Sequence, residues 1–159
     1  MRPRRLELVG FGAYREPTVV SFHDVDLFAI VGATGHGKST LIDAICFALY
    51  GRVPRHGEKE IAPAMTLGVN ETKVSFMFEL AGDAYVATRV LRRKASGEGT
   101  TTRAVRLEVV QPDGITEVLA GSATEFRQRI QALIGLDFDQ FTKCVVLPQG
   151  QFEIGRAHV

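Results

Sequence analysis

The chain has 159 residues, of which 45% are hydrophobic and 23% charged, and its net charge is +1. These values are ordinary for one soluble globular domain with a sizeable core; they exclude a polycation and confine any nucleic-acid contact to a local patch. No apolar run approaches the ~20 residues that span a bilayer, and Glu7, Gly10, Gly12 and Arg15 interrupt the stretch that a secretion signal would keep apolar.

In chain order, Leu6, Leu8 and Phe11 alternate with polar or small residues and predict a half-buried strand, and Thr18 to Phe22 predicts a second. Leu27 to Gly32, LFAIVG, is short and continuously apolar, the pattern of a strand covered on both faces. Leu41, Ile42, Ile45, Ala48 and Leu49 share one helical face, which Gly51 ends. Residues 51–70, with Pro54, Gly57, Pro63 and Gly68, read as loop.

Residues 71–120 are rich in strand signals. Val74, Phe76, Phe78 and Leu80 face one way, 84–93 pairs back across Gly82-Asp83, and 103–120 forms a hairpin turning at Pro112-Asp113-Gly114. Ala95 to Thr102, ASGEGTTT, reads as a mobile loop. Ser122 followed by Glu125 predicts a capping box, and Phe126, Ile130, Leu133 and Ile134 give the face of a helix that Gly135 stops. The apolar run before Pro148 reads as a strand entering a turn at Pro148-Gln149-Gly150. Cys46 and Cys144 stand far apart in apolar company, predicting two buried free thiols in a reducing compartment.

The strongest chemical signal is GATGHGKST, Gly32 to Thr40, which has the glycine, four residues, Gly-Lys-Ser spacing of a phosphate-binding loop. Glycines let backbone N–H groups converge on phosphate oxygens, and the helix that follows aims the positive end of its dipole at them. The candidate nucleotide-binding residues are Gly32, Ala33, Thr34, Gly35, Gly37, Lys38, Ser39 and Thr40. Lys38 supplies charge for the β- and γ-phosphates, and the Ser39 hydroxyl can ligate Mg²⁺. His36 reads as an exposed loop side chain.

The longer stretch GATGHGKSTLIDAICFALYGRVPR, together with GLDFDQFTKCVVLPQGQF at residues 135–152, resembles the chromosome-maintenance ATPases, most closely the SbcC family of bacterial DNA-repair ATPases. The resemblance implies an α/β fold: the N-terminal half of an ABC-type P-loop NTPase head, with mixed β-sheets and a strand-rich insertion, incomplete without a C-terminal half. It makes Gln149 the Q-loop residue that contacts Mg²⁺ and the attacking water. It also implies ATP and Mg²⁺ as cofactors, a second head as homodimer partner, and an SbcD-like nuclease subunit carrying manganese. Double-stranded DNA is the implied substrate, the bacterial cytoplasm the implied compartment, and no membrane is involved.

The same resemblance places a Walker B strand, a signature motif and a switch histidine in a C-terminal half beyond a coiled coil. None of these is found in the sequence, so the chain alone is expected to hydrolyse ATP negligibly. The head portion is expected over residues 1–152, with the loop at 32–40 and the Q-loop at 147–152. Residues 153–159, EIGRAHV, depart from the family and are expected to be a non-native tail. The 111 residues from Lys38 to Gln149 exceed the spacing of transporter ATPases, the third reading after a structural chromosome-organising ATPase.

Between residues 84 and 106 stand Arg89, Arg92, Arg93, Lys94, Arg103 and Arg106 against the single acid Glu98. Displayed along a hairpin they would meet phosphate backbones without reading sequence; a solvated face or a protein contact would look the same in sequence. Arg15 is a weaker candidate for the nucleotide, because related heads use their first hairpin there.

Overall fold

The computed structural model describes residues 1–22, 29–31, 33, 35, 37–55, 61–96 and 99–146. The strands are β1 (Arg2–Val9), β2 (Thr18–Ser21), β3 (Glu71–Leu80), β4 (Asp83–Arg93), β5 (Thr100–Val110) and β6 (Thr116–Ala120). They form one six-stranded sheet in the order β2-β1-β3-β4-β5-β6, with every ladder antiparallel. The N-terminal strand pair and the strand-rich segment are therefore continuous among the described residues. Register is the reason: Leu6 stands opposite Phe76 and Leu8 opposite Val74, so the apolar faces of β1 and β3 coincide.

That shared face, including Leu6, Phe76, Phe78, Ala87 and Leu107, is fully buried. Helices α1 (Lys38–Tyr50) and α2 (Ala123–Ile134) pack on the sheet, α1 against β3 and β4 and α2 against β5 and β6. On the opposite face the Ser75 and Thr88 hydroxyls pair across β3 and β4 at 2.9 Å. α2 opens as its sequence predicts, with the Ser122 hydroxyl accepting from the Glu125 N–H and the Glu125 carboxylate accepting from the Ser122 N–H.

Four expectations are corrected. Residues 144–146 are not a strand: a helical turn, α3 (Phe138–Phe141), runs into a π-helical turn at Thr142–Val146. Asp137 and Gln140 cap α3 reciprocally, and the Thr142 hydroxyl donates back to the carbonyls of Phe138 and Asp139. These local bonds prevail over the β-propensity of the valines. Thr100 to Thr102, read as mobile loop, belong to β5 and pair with Arg93, Arg92 and Leu91.

The strand expected at 27–32 is not formed at 29–31, where Ile30 is 40% and Val31 87% exposed. A strand covered on both faces needs neighbours for its N–H and C=O groups, and among the described residues no strand pairs with this segment. For the same reason the predicted face of α1 is split. Leu41, Ala48 and Leu49 are buried, whereas Ile42 and Ile45 line an open apolar groove of about 500 Å³ with Ile30, Phe22 and Phe141.

The fourth correction concerns the thiols: Cys46 is buried, but Cys144, on the exposed side of the π-helical turn, is not. Ellman's reagent is therefore expected to label Cys144 in the native chain and Cys46 only in denaturant. Burial, with Asp43 adding a smaller effect, pushes the Cys46 thiol up from 9.0 to about 12. The unfolded chain loses this proton first, so the contribution is intact below pH 9 and is lost between pH 9 and about 12. Denaturation of wild type and Cys46→Ala across that window should show a wild-type loss approaching ~1.4 kcal/mol per pH unit that the variant lacks.

Candidate nucleotide site

α1 begins at Gly37, with φ +82°, no side-chain cap and no acid in its first turn. The contrast with α2 is chemical: there Ser122 and Glu125 occupy the helix start, whereas among the described residues no side chain caps the start of α1. An anion at the start of α1 finds backbone donors, the positive end of the dipole and no competing carboxylate in that turn.

Lys38 turns back onto the loop, its Nζ donating to the Ala33 carbonyl at 2.7 Å. Ser39 is exposed and Thr40 buried. Gly35 has φ +86°, and among the described residues no atom lies within 4 Å of where a Cβ would stand. Thus Ala33, Gly35, Gly37, Lys38, Ser39 and Thr40 gather around the start of the helix. Gly32, Thr34, His36 and Gln149, like the Q-loop and the tail at 153–159, lie outside the described residues. An ammonium and an exposed hydroxyl on adjacent residues at an uncapped helix start fit a magnesium–phosphate group.

The flank of this helix start is built by a turn that sequence reasoning passed over. Phe11 stacks on Phe47 of α1 with ring centroids 5.3 Å apart. Gly12, at φ +54°, lies so close that a Cβ there would stand 2.3 Å from the Thr40 Cγ2. Tyr14 packs on Gly37, and its hydroxyl donates to the Gly37 carbonyl at 3.3 Å. The 61–69 loop braces the turn. Gly12 N–H donates to the Ala64 carbonyl at 2.7 Å, Thr66 N–H to Gly10 at 2.8 Å, and the Thr66 hydroxyl to Gly12 at 2.9 Å. The available signal was GFG, two glycines around a phenylalanine in an otherwise regular strand pattern. Arg15 donates to the Leu67 carbonyl at 2.6 Å, which directs it to the brace.

Farther along α1, buried Asp43 accepts from both Nε and Nη2 of Arg55, tying the segment after the helix back to it. Arg89 does not belong to the surface ribbon and is corrected. In β4 the alternation that buries Tyr85, Ala87 and Leu91 also turns Arg89 inward. There it caps the end of α1, donating from Nε to the Ala48 carbonyl at 3.1 Å and from Nη2 to Leu49 at 3.3 Å, with Cζ 4.3 Å from the Phe126 ring centroid. Burial draws its pKa from 12.5 to about 10, so the side chain stays charged at neutral pH.

Four of the other cations do converge. Arg92, Arg93, Lys94 and Arg103, with Asn70 and Thr101, line an open groove of about 640 Å³ with no acid among the described residues of its lining. Arg93 is steadied by a bond from Nε to the Val69 carbonyl at 2.9 Å. Arg106 is outside this groove, 3.6 Å from Glu108.

With this geometry in place, comparison with known families is decisive: a model described as AAA domain matches residues 5–157. The chain belongs to the AAA domain family. Relatives of this AAA domain include the SbcC subunit of nuclease SbcCD from Deinococcus radiodurans, 44% identical over 96% of the chain. The corresponding SbcC protein of Vibrio cholerae is 39% identical, also over 96% of the chain. The chain spans only 16% of the length of each of these relatives. The resemblance to SbcC drawn from the motifs is thereby borne out. A solved structure from work on ATP-driven dimerization and DNA-stimulated activation of SMC ATPases superposes with a TM-score of 0.52 at 22% identity, covering 89% of this chain and 84% of that one. The fold is therefore the one seen in that SMC ATPase structure. No helix among the described residues is long and apolar enough to cross a membrane.

The two glycines separate conformational from steric demands. Gly35→Ala should cost only the left-handed backbone term of roughly 1 kcal/mol. Gly12→Ala adds the Thr40 clash and is expected to cost clearly more, compared by urea denaturation of the two variants.

Proposed function

We propose that this chain is the ATP-binding, N-terminal part of the ATPase subunit of an SbcCD-type nuclease complex, which gates ATP-dependent processing of double-stranded DNA ends and hairpins. The observation that carries the reading is the uncapped, acid-free start of α1, with Lys38 and Ser39 beside it, in a chain 44% identical to an SbcC protein of nuclease SbcCD. On this reading Gly32, Ala33, Thr34, Gly35, Gly37 and Thr40 cradle the phosphates, Lys38 neutralises the β- and γ-oxygens, and the Ser39 hydroxyl ligates Mg²⁺. Bound magnesium supplies charge neutralisation at the triphosphate. Gln149, in the Q-loop at 147–152, completes the metal and water positioning.

Activity is assigned to the assembled protein in the bacterial cytoplasm, with a second head as homodimer partner and an SbcD-like subunit holding the manganese centre. The present chain binds nucleotide without appreciable turnover, because no residue in it supplies the Walker B carboxylates or the signature motif. The head portion is residues 1–152, and 153–159 are a non-native tail. The groove of Arg92, Arg93, Lys94 and Arg103 holds the DNA backbone; Arg89 is excluded by burial, and Arg106 contributes at most from outside the groove.

Two measurements test the reading. Titration with a fluorescent ATP analogue and Mg²⁺ should give saturable binding that Lys38→Ala weakens at least tenfold with an unchanged urea midpoint; equal affinity in the variant would overturn it. For DNA, Arg92→Gln with Arg103→Gln should make the slope of log affinity against log salt shallower by roughly 2 units, one per lost phosphate contact. An unchanged slope would remove the groove from the interface.

A further inference from the structure

We propose that Tyr14 is a positioning residue for the phosphate cradle, its hydroxyl fixing the Gly37–Lys38 peptide so that the Lys38 N–H faces a bound polyphosphate. The inference rests on the nucleotide-binding reading and deepens it. The Tyr14 hydroxyl donates to the Gly37 carbonyl at 3.3 Å. In a trans peptide the C=O and the following N–H point in opposite directions, and none of the described peptides is cis. A bond that holds the Gly37 oxygen toward Tyr14 therefore turns the Lys38 N–H to the other side of the peptide.

Gly37 is where such help has most effect. Lacking a Cβ and lying at φ +82°, its own torsions constrain the peptide less than those of any other residue would. The space a side chain would need is taken by Tyr14 itself: a Cβ on Gly37 would stand 3.0 Å from the Tyr14 Cε2 and 3.1 Å from the Ala13 Cβ. The glycine and the tyrosine are thus fitted to each other.

The hydroxyl is also anchored to the helix it acts upon. Tyr14 N–H donates to the Phe11 carbonyl at 2.9 Å and Phe11 N–H to the Tyr14 carbonyl at 3.1 Å. Phe11 in turn stacks on Phe47 of α1, and Ala64 and Thr66 grip Gly12 from the far side. Tyr14 is thereby tied to α1 through Phe11 and Phe47. The ligand class is any polyphosphate, since the contact orients a phosphate donor and touches no base.

Tyr14→Phe is the informative variant, because it keeps the ring against Gly37 and removes only the hydroxyl. Without nucleotide, its ¹⁵N spectrum should show the Lys38 amide displaced relative to wild type. Its affinity for both MgATP and magnesium pyrophosphate should fall about fivefold, on the order of the cost of ordering one backbone peptide when the ligand binds. A purely packing role for Tyr14 predicts an unmoved Lys38 amide and affinities within twofold of wild type, and either result overturns the inference. If wild type binds neither ligand, the nucleotide reading fails, and the Lys38 amide comparison alone decides whether Tyr14 sets that peptide.

Discussion

The start of α1 is the constraint on which the rest of the molecule depends. A helix normally completes its first turn with its own side chains, as α2 does with Ser122 and Glu125. Among the described residues no side chain caps the 13-residue α1, and its first turn holds no acid. The hold comes from the side: Phe11 on Phe47, Gly12 against Thr40, Tyr14 against Gly37, with Ala64 and Thr66 behind the turn. Tertiary contact along the flank leaves the helix end open, which is what an anion site requires.

The far end of α1 is closed in the opposite sense. Arg89 takes the carbonyls of Ala48 and Leu49, so the negative end of the dipole meets a buried cation lying over Phe126. Strand β4 thereby serves two purposes through its alternation. Arg89 points into the core and fastens the helix, whereas Arg92, three residues on, is exposed in the groove with Arg93, Lys94 and Arg103. One polypeptide segment thus supports both the proposed phosphate cradle and the groove proposed to meet DNA.

The open apolar groove beside α1 has the same origin as the unformed strand at 29–31. Ile30, Ile42 and Ile45 are residues of a buried type without a full cover among the described residues. The chain spans 16% of the length of its SbcC relative from Deinococcus radiodurans.

Much of this was legible in the residues because it depends on short-range chemistry. The phosphate-loop spacing, the alternation in β3 and β4, the Ser122–Glu125 box and the stop at Gly51 are all set by torsional preference and by partners a few residues away. What tertiary structure decided was direction and cover. Arg89 and Arg92 look alike in a basic run, and only the register of β4 against α1 buries the first and exposes the second. Cys144 and Val145 favour a strand by propensity, yet the caps at Asp137 and Thr142 wind them into a helical turn. The flank of Gly12 and Tyr14 was hidden because it joins residues about 25 to 50 positions apart in sequence, and such contacts exist only after the chain has packed.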